Sequence, residues 1–219
     1  MQTDRVGLLG GTFNPVHNGH LHAAEEVRRR AGLRRILFIP SYIPPHKLSA
    51  EMASPEDRFA MVSLALKGHP AFEASPLEID VRETSYSIIT LNKVKSLHGE
   101  SRVFFILGID AFVEIETWRS YRELLAQCHF IVISRPGHRL DEARRALPGD
   151  YAGTILDLPE PLPLTDEQAE RYRIFLFPIN ALDISSTDIR RRVRQGQPVS
   201  GLVPEPVDFY IQKKKLYQE

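Results

Sequence analysis

The sequence predicts an α/β fold built on a doubly wound parallel sheet. Short, unbroken apolar runs recur along the 219 residues, at Val6–Leu9, Ile36–Ile39, Val103–Leu107, Phe130–Ile133 and Ile174–Phe177. Runs of that length and continuity fit strands of a covered parallel sheet. Helical patterns separate them, and strand, helix, strand in that order implies a right-handed crossover. The first run ends in Gly10-Gly11-Thr12-Phe13-Asn14-Pro15-Val16-His17-Asn18-Gly19-His20, after which a helix begins. In an open α/β sheet a ligand sits beyond the carboxyl end of a strand, so this turn is the candidate site.

The turn has the makings of an anion cradle. Backbone N–H groups and the helix dipole favour negative charge at a helix start. Gly10 and Gly11 let a phosphate approach with no Cβ in the way. His17 and His20, three residues apart, can share one face at the helix entry. A G-x-G-x-x-G dinucleotide fingerprint is missing, and no Lys-Ser or Lys-Thr completes a P-loop. With one cysteine and no H-E-x-x-H in the chain, the two histidines are not read as metal ligands.

The remaining elements follow in order. Leu21 to Ala31 reads as a helix stopped by Gly32, with Arg28-Arg29-Arg30 as a solvated last turn that complements the dipole. Arg34 to Pro40 is the second strand. The stiff Pro40-Ser41-Tyr42-Ile43-Pro44-Pro45-His46-Lys47 loop follows, and it can hold Lys47 toward a phosphate as a point charge. Ser54 caps a helix running to about Lys67, with Pro55 in its first position. Arg58, Met61 and Leu64 share one side of it, Met61 and Leu64 as core. Short strands are expected near Phe72 and from Leu77 to Val81. Thr84-Ser85-Tyr86-Ser87 leads into a helix over Ile88 to Leu97. Arg102 to Leu107 is the most apolar strand and reads as central. It ends in Gly108-Ile109-Asp110, a glycine and a carboxylate suited to a ribose. Trp118 lies in a polar stretch where its ring could stack on a heteroaromatic base. A helix over Tyr121 to Ala126 and a strand over Phe130 to Ile133 lead to Arg135, a candidate for a phosphate or a base. Residues 138–171 form a variable connector with a short helix at Leu140 to Leu147. The last strand spans Arg173 to Ile179. Ile184-Ser185-Ser186-Thr187-Asp188-Ile189-Arg190 then opens a helix to Gln195, a second phosphate cradle with Arg190 one turn inside. A docking helix is expected over Pro204 to Leu216.

Several of these segments carry a resemblance. His17-Asn18-Gly19-His20 resembles the [HT]-x-G-H signature of the nucleotidyltransferase superfamily, and the longer Gly-Gly-Thr-Phe form is similar to bacterial nicotinate-nucleotide adenylyltransferases. Pro44-Pro45-His46-Lys47, Leu107-Gly108-Ile109-Asp110, Trp118 and Ile184-Ser185-Ser186-Thr187-Asp188-Ile189-Arg190 resemble further segments of that family, in its order. The chain departs from the family at Asn14, where an Asp is usual; a charge is lost and a hydrogen-bonding side chain is kept. The resemblance implies a single Rossmann-like nucleotidyltransferase (HUP-type) domain over 1–219. It implies adenylyl transfer from ATP to nicotinate mononucleotide, with Mg²⁺ accompanying ATP. His17, His20, Lys47 and Arg190 would be catalytic. Gly10, Gly11, Thr12, Phe13, His17, His20, Gly108, Asp110, Arg135, Ile184, Ser185, Ser186 and Arg190 would bind ATP. Asn14, His46, Lys47, Thr84, Ser85, Tyr86 and Trp118 would bind nicotinate mononucleotide.

Hydrophobic and charged content are ordinary for a globular protein. Formal net charge is zero, which argues against a general nucleic-acid binder. The single cysteine, Cys128, rules out an internal disulfide framework and fits a reducing compartment. No signal-peptide pattern or membrane-length apolar run is seen, so the cytoplasm is the expected location. Self-association is not readable. The alternatives are a related transferase acting on nicotinamide mononucleotide or another phosphate acceptor, and a non-catalytic nucleotide sensor on the same fold.

Overall fold

The computed structural model describes residues 4–44, 52–99 and 101–218. In chain order these form β1 (Arg5–Gly11), α1 (Asn18–Ala31), β2 (Arg35–Pro40), α2 (Pro55–Ala65), β3 (Phe72–Ala74), α3 (Ser87–His98), β4 (Arg102–Gly108) and α4 (Ile109–Phe112). Then come α5 (Tyr121–Gln127), β5 (His129–Ile133), β6 (Ile155–Asp157), α6 (Asp166–Arg171), β7 (Ile174–Phe177), α7 (Ser186–Arg194) and α8 (Glu205–Lys214). Among the described residues the strand order is β3-β2-β1-β4-β5-β7-β6. The most apolar strand, β4, is indeed the central one, and Val103 to Leu107 are all buried. The chain divides into two compact units. The first comprises Met1–Leu9, Ala23–Ile36 and Tyr86–Ala181; the second comprises Gly10–His22, Leu37–Ser85 and Leu182–Glu219.

In the first unit every pairing is parallel: β1 with β4, β4 with β5, β5 with β7, and β7 with β6. The register sets Phe104 beside His129, and the two rings stack at 4.8 Å. Connector 138–171 is more ordered than its composition suggests. It supplies β6 and α6, whose Thr165 and Gln168 form a capping box. Elements of three and six residues are too short to show a period. The helix expected at Leu140–Leu147 is a 3₁₀ turn over Leu140–Arg144. Arg30 is not the solvated end of α1. It is buried, pairs with Glu26, donates to the carbonyls of Leu158 and Pro178, and lies over the Phe177 ring at 4.5 Å. Arg5 is buried likewise, on the carbonyls of Ala31 and Leu164 and the Asp166 carboxylate.

In the second unit, Ser54 Oγ accepts from the Asp57 N–H at 3.0 Å and caps α2, with Pro55 in the first turn as its fixed φ allows. Helix α8 packs against α2, and the Tyr210 hydroxyl donates to Asp57 Oδ1 at 2.8 Å. Burial and that carboxylate push the Tyr210 phenol up to about 12. Two expectations fail here. Residues Leu77 to Val81 are not a strand, because the Asp80 N–H closes a turn on the Pro76 carbonyl at 2.9 Å and Val81 is exposed. On α2, Met61 is core but Leu64 is only half-buried; the fully buried side of the helix is Arg58, Met61, Val62 and Ala65.

Candidate active site

The histidine turn lies in the second unit, and its main chain is held from several directions. At the end of β1 the Gly11 carbonyl accepts from the Ser41 N–H at 2.9 Å. The Thr12 carbonyl accepts from Arg58 Nη1 at 2.8 Å, the Asn14 carbonyl from Arg190 Nη1 at 2.9 Å, and the Pro15 carbonyl from Ser186 Oγ at 2.8 Å. The His17 carbonyl accepts from the His20 N–H at 2.9 Å as α1 begins. Five carbonyl oxygens are thus taken by protein donors. Phe13 is held at φ 47°, in the left-handed region, at a cost on the order of 1–3 kcal/mol that the surrounding bonds must offset.

That backbone path sets the imidazoles. The Phe13 ring is buried and meets His20 edge-on, centroids 5.1 Å apart. The His17 and His20 rings lie 3.7 Å apart at 31°. The His17 main-chain N–H donates to His20 Nδ1 at 3.2 Å. Since Nδ1 accepts, the neutral His20 ring carries its proton on Nε2, where it can donate to an anion. Gly19 leaves little room for a side chain: a Cβ there would stand 3.0 Å from His17 Nδ1. His17 and Asn14 are buried, and His20 is partly exposed.

Helix α7 supplies the second cradle. Ser185 caps it, accepting from the Asp188 N–H at 3.1 Å, while Ser186 reaches the histidine turn. Arg191 and Arg192 pair with Asp188 instead. The structure therefore brings Gly11, Thr12, Phe13, Asn14, His17, His20, Ile184, Ser186 and Arg190 together. Asn14 Oδ1 accepts from the Ala53 N–H at 3.0 Å and from the Tyr217 hydroxyl at 2.8 Å, so this amide oxygen is already used within the protein. Thr84 bridges Ile43, and Ser85 bonds the loop after β2 through both its N–H and its Oγ. His46 and Lys47 lie outside the described residues.

A separate cluster occupies the first unit at the end of β4. Arg135 Nε stands 3.9 Å from Asp110 Oδ1. A Cβ on Gly108 would overlap the Asp110 carboxylate and stand 2.8 Å from Arg135 Nε, so the two side chains converge over a bare main chain. Trp118 is half-buried and meets Phe105 edge-on at 6.2 Å. Arg119 lies over the Tyr86 ring at 4.8 Å.

Sequence reasoning passed over Arg58 and Tyr217. Arg58 has no exposed surface and bonds three carbonyls, those of Ala53, Thr12 and Tyr42. Burial lowers the pKa of its guanidinium, opposed by nearby Tyr217, Glu56 and Glu78. Its position on the apolar side of α2 was a usable signal. Tyr217 had none, being 203 residues from its partner Asn14; burial raises its phenol pKa well above the usual value. Among the described residues, no group of three or more His, Cys, Asp or Glu is placed to hold a metal ion, and no helix is long and apolar enough to cross a membrane.

Residues 8–192 match the family model described as cytidylyltransferase-like. A Desulfitobacterium hafniense protein named "Probable nicotinate-nucleotide adenylyltransferase" is 43% identical over 98% of this chain and 96% of its own. The protein of that name from Pelobacter propionicus is 40% identical over 98% and 99%. The solved structure of Plasmodium falciparum nicotinic acid mononucleotide adenylyltransferase complexed with NaAD has the same fold, with TM-score 0.72 at 17% identity over 98% of this chain and 97% of that one. A parallel Rossmann-like sheet, the paired histidines of the first turn and full-length likeness at this identity agree: the chain belongs to the nicotinate-nucleotide adenylyltransferase family of cytidylyltransferase-like proteins.

Proposed function

We propose that this protein transfers the adenylyl group of ATP to nicotinate mononucleotide, giving nicotinate adenine dinucleotide and pyrophosphate, a step of NAD biosynthesis. The observation that carries the reading is the histidine turn, with its carbonyls bonded by Arg58, Arg190 and Ser186 and the His17 and His20 rings side by side. A phosphate oxygen of the mononucleotide attacks the α-phosphorus of ATP. One P–O bond forms, the bond to the bridging oxygen breaks, and pyrophosphate leaves. The attacking phosphate is already an anion, so no protein nucleophile is needed. Catalysis is then positioning and charge stabilisation.

In this reading His20 Nε2–H and His17 stabilise charge developing on the α-phosphoryl group and the leaving pyrophosphate. Lys47 and Arg190 neutralise phosphates, and the turn and the α7 start hold the triphosphate. Gly108 and Asp110 take the ATP ribose, with Arg135 beside them. Trp118 takes the nicotinate ring, and Thr84, Ser85 and Tyr86 its carboxylate. Magnesium would arrive with ATP on phosphate oxygens, where it would neutralise charge. The cytoplasm is the compartment proposed, and the free, buried Cys128 thiol fits it.

The test is pyrophosphate release with ATP and Mg²⁺, comparing nicotinate with nicotinamide mononucleotide. Release with the acid form, and a fall on the order of 10²–10³ in kcat for His20→Ala, are expected. Normal turnover by His20→Ala would overturn the histidine assignment, and no release from the wild type with the acid form would overturn the substrate.

A further inference from the structure

Arg58 is an unusual residue to bury. A guanidinium removed from water is tolerated when hydrogen bonds replace those it loses, and each of its three nitrogens makes one. Nε donates to the Ala53 carbonyl at 3.1 Å, Nη1 to the Thr12 carbonyl at 2.8 Å and Nη2 to the Tyr42 carbonyl at 3.0 Å. The three acceptors come from the histidine turn, the loop after β2 and the segment that leads into α2. A rigid planar fork joins them, and uncharged carbonyls leave its positive charge uncancelled by these bonds.

The Thr12 carbonyl belongs to the peptide that enters Phe13, the residue at φ 47°. Holding that carbonyl holds the left-handed turn. The turn sets the Phe13 ring against His20 at 5.1 Å and brings the His17 N–H to His20 Nδ1 at 3.2 Å. That last bond decides which ring nitrogen of His20 carries the proton. We propose that Arg58 is a positioning residue for the transfer reaction: by gripping the Thr12 carbonyl it keeps the Phe13 turn closed and the His20 imidazole in the Nε2–H form. The inference rests on the functional reading above for its kinetic arm alone.

The experiment uses the full chain carrying Arg58→Met or Arg58→Lys, with two readouts. The first is the ¹⁵N NMR signature of the His20 imidazole in substrate-free protein, assigned with His20→Ala. The second is kcat and KM for ATP with nicotinate mononucleotide. Arg58→Met is expected to lower kcat about 100-fold, the scale of a misplaced catalytic group, with KM for ATP changed less than fivefold. Its His20 signals should move from the Nε2–H tautomer toward an average of the two. Arg58→Lys keeps the charge without the fork, so about a tenfold loss of kcat and a partial tautomer shift are expected. A folded variant with kcat within threefold of wild type overturns the proposal. So does a fall in kcat with the His20 tautomer unchanged, or failure of both variants to fold, since either leaves Arg58 a purely structural role. A wild type inert toward nicotinate mononucleotide would defeat the functional reading instead, and the tautomer readout would still judge Arg58.

Discussion

His129 makes the stability of the protein depend on pH between 7.5 and 5. It is 4% exposed, stacked with Phe104 at 4.8 Å and Phe175 at 6.0 Å, and its Nε2 bonds the Ala169 carbonyl at 2.7 Å. Burial, helped by Arg173 and Arg102, pushes its pKa down from 6.5 to about 4. A proton therefore binds the unfolded chain more readily than the folded one throughout the interval between those values. Where the unfolded state holds more protons, stability rises with pH. The penalty is absent above pH 7, grows as pH falls through 6.5, and levels off below 4. For these two pKa values it reaches about 2 kcal/mol at pH 5. Urea denaturation at pH 7.5 and 5.0 measures it, with His129→Gln as reference because its amide can still donate to the Ala169 carbonyl. The wild type should lose about 2 kcal/mol more than the variant between the two pH values. Equal losses would refute the claim that His129 is held neutral by burial.

Two further substitutions separate binding from stability. Gly108→Ala sits at φ −72°, without strain, but displaces the Asp110 carboxylate and the Arg135 Nε. KM for ATP should rise about tenfold or more, the scale of one lost charged hydrogen bond, with little change in thermal midpoint; an unchanged KM would remove Asp110 from the proposed ribose site. Tyr217→Phe deletes the donor to Asn14 Oδ1, which keeps the Ala53 N–H. A loss of about 1 kcal/mol in urea denaturation is expected, and an unchanged midpoint would argue that this bond contributes nothing.

Much of the fold was legible because its signals are local. The runs at 103–107, 130–133 and 174–177 became β4, β5 and β7 because buried parallel strands need continuous apolar side chains. Ser54, with Pro55 after it, capped the helix it was expected to cap, since a cap is settled within four residues. The misreadings arose where tertiary context overrode local pattern. A strand was expected from Leu77 to Val81, but a Pro76–Asp80 turn took the backbone. Arg30 looked like a solvated helix end, yet carbonyls of residues more than a hundred positions away receive it indoors.

The candidate site divides in the same way. The order of residues along the chain already marks where the chemistry-bearing groups stand: two histidines three apart at a strand end, a Gly-x-Asp after the central strand, and a Ser-Ser-Thr segment opening a helix. Those patterns are set by neighbours in the chain, and the family resemblance reads the same letters. Tertiary structure alone decided what holds the histidine turn. Its main-chain oxygens and the Asn14 amide are taken by Arg58, Arg190 and Tyr217, at separations of 46, 176 and 203 residues. The reason is physical: a carbonyl needs a donor but leaves no mark on the sequence of whichever residue will supply it.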